Sequence, residues 1–181
     1  LVLFTSLVWA VKLRRVNKQL YALSRTDTLT GLANRASLNE RLADEWNRFQ
    51  RHGRPLSLIL LDLDHFKTVN DDLGHLVGDS VLTGFAQLAR DTVRAEDMVG
   101  RWGGEEFLVI CPETEGPQAA ALAERLCQAM RGHDFATGRR HTVSAGIATM
   151  LPGDSVDALI SRADTALYAA KDSGRDRAVL G

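Results

Sequence analysis

The sequence predicts an α/β sandwich of the α+β kind, with helices layered on one mixed sheet. Three observations lead there. Apolar runs of strand length alternate with stretches of helical period, and at least one pair of strands meets at a glycine hairpin. The 181 residues, 45% hydrophobic and 25% charged, suffice for one core of about 150 residues plus an extension.

The extension comes first. LVLFTSLVWAVKL is thirteen mostly apolar residues, short of the about 20 that cross a bilayer. Trp9 followed by Lys12, Arg14 and Arg15 nevertheless has the order of a membrane helix emerging into cytoplasm. The expectation is the cut end of a longer, membrane-bound parent rather than a signal peptide, whose basic residues would precede the apolar run. Trp9, Leu13, Val16, Leu20 and Leu23 repeat at 4, 3, 4 and 3, the seam of a coiled coil, although one amphipathic helix folded on its own domain satisfies the same spacing. Residues 1–26 are read as the end of a membrane segment and a helical stalk, and 27–181 as the globular domain.

DTLTGLAN supplies hydroxyls, an acid and a glycine for a loop that then caps a helix. That helix runs from Arg35 to Arg51 with Leu38, Leu42, Trp46 and Phe49 on one face, and Gly53 and Pro55 stop it. LSLILLDLD follows as a buried strand whose far end is expected to deliver Asp62 and Asp64 into solvent. HFKTVNDDLGH reads as a short helix with a turn. GDSVLTGFAQLARDTV reads as a longer helix buried through Val81, Leu82, Phe85, Leu88 and Ala89. DMVGRW and EFLVICP are strands joined around Gly103 and Gly104. A helix over 117–131 buries Ala119, Leu122, Ala123, Leu126 and Met130, and HTVSAGIATM is a strand. Asp154 is expected to cap a last helix buried through Val156, Leu159, Ile160, Ala163, Leu167 and Ala170, with RAVL as an edge strand.

A formal net charge of -1 excludes a general binder of nucleic acid polymers, which needs a basic excess, so any phosphate chemistry must be local. Cys111 and Cys127 have neither zinc-type spacing nor the number for a disulfide framework, which favours a reducing compartment.

Three acids fall where elements end: Asp62 at a strand terminus, Glu105 and Glu106 at the hairpin. Carboxylates from adjacent strands suit a hard cation such as magnesium, which shares them with substrate phosphates. Strand-end solvation and helix capping would account for Asp62 and Asp64 alone. HFKTV adds orphan N–H groups at a helix start, suited to phosphate. Lys171 and Arg175 in AAKDSGR could clasp phosphate oxygens or simply complement a helix C-terminus. Asn70 presents a donor and an acceptor and Asp79 only accepts, so together they could match a guanine edge better than an adenine one; Asn70 alone would pass for a turn residue.

DTLTGLANR, LDLDHFKTVNDDLGHLVGD, RWGGEEF and AAKDSGR, in that order over residues 27 to about 179, strongly resemble the GGDEF-type diguanylate cyclase family. The resemblance implies the palm-like nucleotide-cyclase fold, with a mostly antiparallel mixed sheet. It implies condensation of two GTP into cyclic di-GMP and two pyrophosphates across an antiparallel homodimer. It also implies that Asp62, Glu105 and the Leu63 carbonyl bind magnesium, with manganese as the alternative, and that Glu106 deprotonates the ribose 3'-hydroxyl. The His65 and Phe66 amides with Lys67, Lys171 and Arg175 would then hold phosphates, Asn70 and Asp79 would read guanine, and Gly103 and Gly104 would let the hairpin pass close to the nucleotide. RAED matches the family's inhibitory motif, so Arg94 and Asp97 are expected to bind product. Glutamate at 105, where the family name has aspartate, keeps the charge and adds one methylene. The implied setting is the inner membrane of a bacterium, with the catalytic domain cytoplasmic and the stalk raising the local concentration of its partner. The rival is a non-catalytic receptor for GTP or cyclic di-GMP, which would have no need of Glu106.

Overall fold

The computed structural model describes residues 25–181. The apolar segment at 1–13 and the heptad positions Trp9 to Leu23 lie outside them. No helix among the described residues is long and apolar enough to cross a membrane.

The elements run α1 (Arg35–His52), β1 (Leu56–Leu63), α2 (Phe66–Leu73), α3 (His75–Thr92), β2 (Met98–Gly103), β3 (Glu106–Pro112), α4 (Gly116–Gly132), β4 (Val143–Thr149), α5 (Val156–Asp172) and β5 (Ala178–Leu180). The sheet order is β2-β3-β1-β4-β5, antiparallel throughout except for β5, which lies parallel to β4 at the edge. The mixed, mostly antiparallel sheet expected from the sequence is therefore present.

Strand parity divides the core. In β1 the odd residues Ile59, Leu61 and Leu63 pack with Phe85 of α3 and Leu126 of α4, while the even residues Leu56, Leu58 and Leu60 pack with Leu38 and Leu42 of α1 and Leu159 and Leu167 of α5. Successive side chains leave opposite faces of a strand, so a continuous apolar run is required when both faces are covered. Phe107 meets Phe85 edge-to-face at 4.9 Å between ring centroids. Gly146 lets α5 lie directly on β4, since a Cβ there would stand 2.1 Å from the Ala163 carbonyl oxygen. That close crossing sets where the end of α5 arrives.

The helix ends follow local chemistry with two departures. Asn34 caps α1 by accepting from the Ser37 amide at 3.0 Å. The cap of α5 is Ser155, which accepts from Ala158 N–H at 3.1 Å; Asp154 instead takes the Leu151 amide and the Arg162 guanidinium. The hydroxyl one residue later has the shorter reach to the first turn. Helix α3 begins at His75 rather than Gly78, because Gly74, at φ 84°, ends α2 and opens α3 in one residue. Leu88 is only partly buried, and Ala86 takes its place against the sheet. Cys111 and Cys127 are free and buried; burial raises both thiols, Cys127 to about 12.

Candidate active site

The same parity that builds the core places the acids. Asp62 is the even residue at the end of β1, so it faces α5, and its cross-strand partner on β3 is Glu106. The Leu63 amide donates to the Glu105 carbonyl at 3.3 Å, which draws the hairpin turn against the same strand end. Asp62, Glu105 and Glu106 therefore share one corner, as their positions in the sequence suggested.

Lys171 arrives from the last turn of α5, its Nζ 2.9 Å from Asp62 Oδ2. Burial nevertheless raises the Asp62 carboxyl above its ordinary range, against the pull of Lys171 and with Glu105 adding to the rise. Burial also raises Glu106, with the neighbouring Asp62 charge as the next cause. The corner thus carries more negative charge than Lys171 neutralises, which is what a divalent cation would relieve. Among the described residues no group of three or more His, Cys, Asp or Glu is arranged to hold a metal by itself. The donors here fit a different arrangement, two carboxylates and a backbone carbonyl, with the remaining positions left to phosphate oxygens and water.

A shallow cleft of about 250 Å³ joins Asp62, Leu63 and Glu105 to His65, Phe66, Lys67, Lys171 and Arg175. His65 sits at φ 56°, a left-handed turn between β1 and α2 that presents the helix start to the cleft. Arg175 has no ion-pair or hydrogen-bond partner for its side chain among the described residues. Asn70 and Asp79 lie outside this cleft, where α2 meets α3. A Cβ on Gly78 would fall 2.0 Å from Asn70 Oδ1, so that glycine seats the Asn70 amide one residue from Asp79.

The two hairpin glycines differ in what surrounds them. Neither Gly103 nor Gly104 has a positive φ. A Cβ on Gly103 would stand 3.1 Å from Glu106 Oε2, whereas one on Gly104 would meet nothing within 4 Å. Gly103 leaves room for a carboxylate and Gly104 leaves one side of the turn open; the bend itself comes from a register shift between Arg101 and Gly103.

Asp64 is the clearest correction. Expected in solvent, it is 6% exposed, accepting from Thr142 Oγ1 and Ser144 Oγ at 2.7 Å each and from the Asp176 amide at 3.1 Å. Residue-level reading also missed Asp27 and Arg101. Asp27 accepts from Thr30 N and Oγ1 at 2.9 and 2.7 Å and lies 3.4 Å from Arg101, whose Nε donates to the Gly104 carbonyl at 2.9 Å. Burial would raise the Asp27 carboxyl, but the Thr30 bonds and Arg101 together hold it below its ordinary range. The loop at 27–30 is thereby tied to the turn carrying Glu105. The pairing of an early Asp with an Arg ahead of two glycines was the available signal.

Arg94 and Asp97 lie at the opposite end of β2, on the order of 20 Å from the acids by strand rise. Asp97 Oδ2 accepts from the Arg94 amide at 3.0 Å, and both border a cavity of about 350 Å³ with Arg41, Arg48 and Glu113.

A mostly antiparallel sheet that gathers carboxylates at one strand end, beside cations and a helix start, defines an α/β domain with an acidic site at one end of the sheet. The chain belongs to the diguanylate cyclase, GGDEF domain family, which matches residues 24–177. It is 46% identical over 155 residues to diguanylate cyclase DgcP of Pseudomonas aeruginosa, covering 84% of this chain and 23% of that protein. The chain thus spans about a quarter of that relative's length. The GGDEF domain of DgcB from Caulobacter crescentus, solved in complex with c-di-GMP, is similar with a TM-score of 0.83 and 34% identity over 87% of this chain and 95% of that one. The active GGEEF domain of a diguanylate cyclase from Vibrio cholerae is similar with a TM-score of 0.79 and 35% identity, covering 82% and 97%.

Proposed function

We propose that this domain condenses two GTP molecules into cyclic di-GMP and two pyrophosphates, each domain of a homodimer contributing one GTP. The observation that carries the proposal is the register pair Asp62 and Glu106 beside a cleft holding Lys67, Lys171 and Arg175. A non-catalytic receptor would have no use for an acid pair whose burial raises its proton affinity.

In this reading Asn70 and Asp79 hold the guanine edge, while the His65 and Phe66 amides, Lys67 and Arg175 hold the phosphates. Asp62, Glu105 and the Leu63 carbonyl would hold magnesium, or manganese in its place, which when bound draws charge from the triphosphate. Glu106, its carboxyl raised by burial and by Asp62, is the better base for that reason, and takes the proton of the ribose 3'-hydroxyl. The freed oxygen attacks the α-phosphorus of the GTP in the facing domain, and the bond to the departing pyrophosphate breaks in line. The second phosphodiester forms in the same way with the roles of the domains exchanged. Lys171 neutralises Asp62 in the ligand-free domain and turns to the phosphates when GTP is present.

Product binding at Arg94 and Asp97 is proposed to inhibit turnover from a distance. The parent is proposed to be anchored in a bacterial inner membrane, with this domain on the cytoplasmic side. Incubating the 181-residue chain with GTP and magnesium, and following pyrophosphate and cyclic di-GMP against protein concentration, tests the central claim. The specific rate should rise with concentration as dimers form, and no product from a confirmed dimer would sink the cyclase reading. Arg94→Ala should abolish inhibition by added cyclic di-GMP in protein freed of bound product.

A further inference from the structure

Gly174, Arg175 and Asp176 are three successive residues with positive φ, at 107°, 63° and 50°. Glycine adopts that region freely, but two L residues in succession stay there only when their surroundings hold them. Three ties do so. The Arg175 amide donates to the Ala170 carbonyl at 3.0 Å, and the Asp176 amide donates to the buried Asp64 carboxylate at 3.1 Å. The third comes from a distant helix: Arg131, in the last turn of α4, donates through Nε to Asp176 Oδ2 at 2.8 Å and through Nη2 to Oδ1 at 3.0 Å. Nη2 also donates to the Asp176 carbonyl at 3.2 Å.

An isolated pair this exposed would count for little. Here the guanidinium grips a side chain and the backbone of the same residue, and that residue sits in the turn immediately after Arg175. A planar fork fixes orientation as well as distance. Arg175 lines the cleft and Arg131 does not. The Asp64 end of the network leaves β1 directly after Asp62 and Leu63, so one set of bonds ties the acid corner to the turn bearing Arg175.

We infer that Arg131 is a positioning residue for nucleotide binding, acting through Asp176 to lock the left-handed turn that presents Arg175 to the substrate phosphates. The inference rests on the reading of the cleft as a GTP phosphate site. It requires that Arg131 matter only while Arg175 is present.

The test is steady-state kinetics on the 181-residue chain at fixed protein concentration, with GTP as the varied substrate. Arg131→Ala should raise KM for GTP by about fivefold to tenfold, the size of one charge-assisted contact, with kcat changed much less. Arg175→Ala should do the same, and the double variant should be no worse than Arg175→Ala alone. Arg131→Lys and Asp176→Asn weaken the fork without emptying the site and should give smaller shifts in KM, so the idea stays testable if Arg131→Ala folds poorly. A pair that only stiffened the fold would lower the melting temperature and leave KM alone, and that result overturns the inference. So does a double variant whose KM is the product of the two single effects. Wild-type protein that makes no product as a confirmed dimer defeats the cyclase reading whatever the variants do; wild-type turnover with independent effects of Arg131 and Arg175 defeats only this inference.

Discussion

Strands β1 and β3 lie side by side at the centre of the sheet, and the two ends of their shared ladder are built on opposite terms. From Leu58 opposite Ile110 to Leu61 opposite Phe107, every cross-strand pair is apolar and buried. One step further the pair is Asp62 opposite Glu106, two acids facing each other. Like charges directly opposite in a sheet are unfavourable, and both carboxyls lie above their ordinary range, raised first by burial and then by neighbouring acids: Glu105 and Asp64 for Asp62, and Asp62 for Glu106. The dry ladder next door holds the backbone in register, so the acids cannot separate to relieve the repulsion. Apolar packing is concentrated in one part of the strand pair and opposed ionisable groups in the other.

Substitutions at adjacent positions should separate the two ends. Glu106→Gln is expected to reduce turnover on the order of 10³-fold, the range for removing a general base. The ligand-free domain should melt at the same or a higher temperature, because one of two opposed charges is gone. Loss of both activity and stability would mean that the ends are not independent. Phe107→Ala, one residue along, should do the converse, lowering stability by about 3–5 kcal/mol in urea unfolding through the cavity left beside Phe85. The KM for GTP of the protein that remains folded should stay near its original value.

A smaller effect is expected where packing and recognition meet. Gly78→Ala puts a methyl group 2.0 Å from Asn70 Oδ1, so either the amide or the helix must move. About tenfold weaker GTP binding, with discrimination against ATP reduced, is the expected outcome by calorimetry. Unchanged selectivity would remove Asn70 from the guanine site.

The smallest effect concerns pH. Asp62 and Glu106 have raised carboxyls, so over the interval from the ordinary carboxylate value up to their folded values the folded chain binds more protons than the unfolded one. Their contribution to stability is full below that interval and is lost as pH rises through it. Asp27 has the opposite sign: its lowered carboxyl contributes stability above the ordinary value, and that contribution is lost on acidification. Melting curves across pH without divalent cations should therefore flatten on the higher-pH side in Glu106→Gln and on the acid side in Asp27→Asn. Identical pH profiles in all three proteins would show that the acid corner is not strained.

Much of this was legible in the linear chain, element by element. The continuous run LSLILL required a strand covered on both faces, and the structure buries both. Helices α1, α4 and α5 follow their apolar periods closely. The acids at strand ends were legible too, because a strand's end and the parity of its last residue are local properties. Asp64 was not: two positions after Asp62 it reads as one more exposed carboxylate, yet its partners are Thr142, Ser144 and Asp176, the last 112 residues away. Nor was the part of Gly103 legible, which leaves room for the Glu106 carboxylate three residues on.

The sequence by itself determined the secondary structure, the sidedness of each strand and helix, and the identity of the groups available for chemistry, since these depend on period, length and residue type within a few positions. Only the tertiary structure decided which of those groups face one another. Lys171 meets Asp62 because Gly146 lets α5 lie flat on β4, and Asp27 reaches the turn at Gly104 because Arg101 bridges them. Convergence of that kind is a property of packed backbones, in which one close crossing fixes the position of a side chain many residues further along.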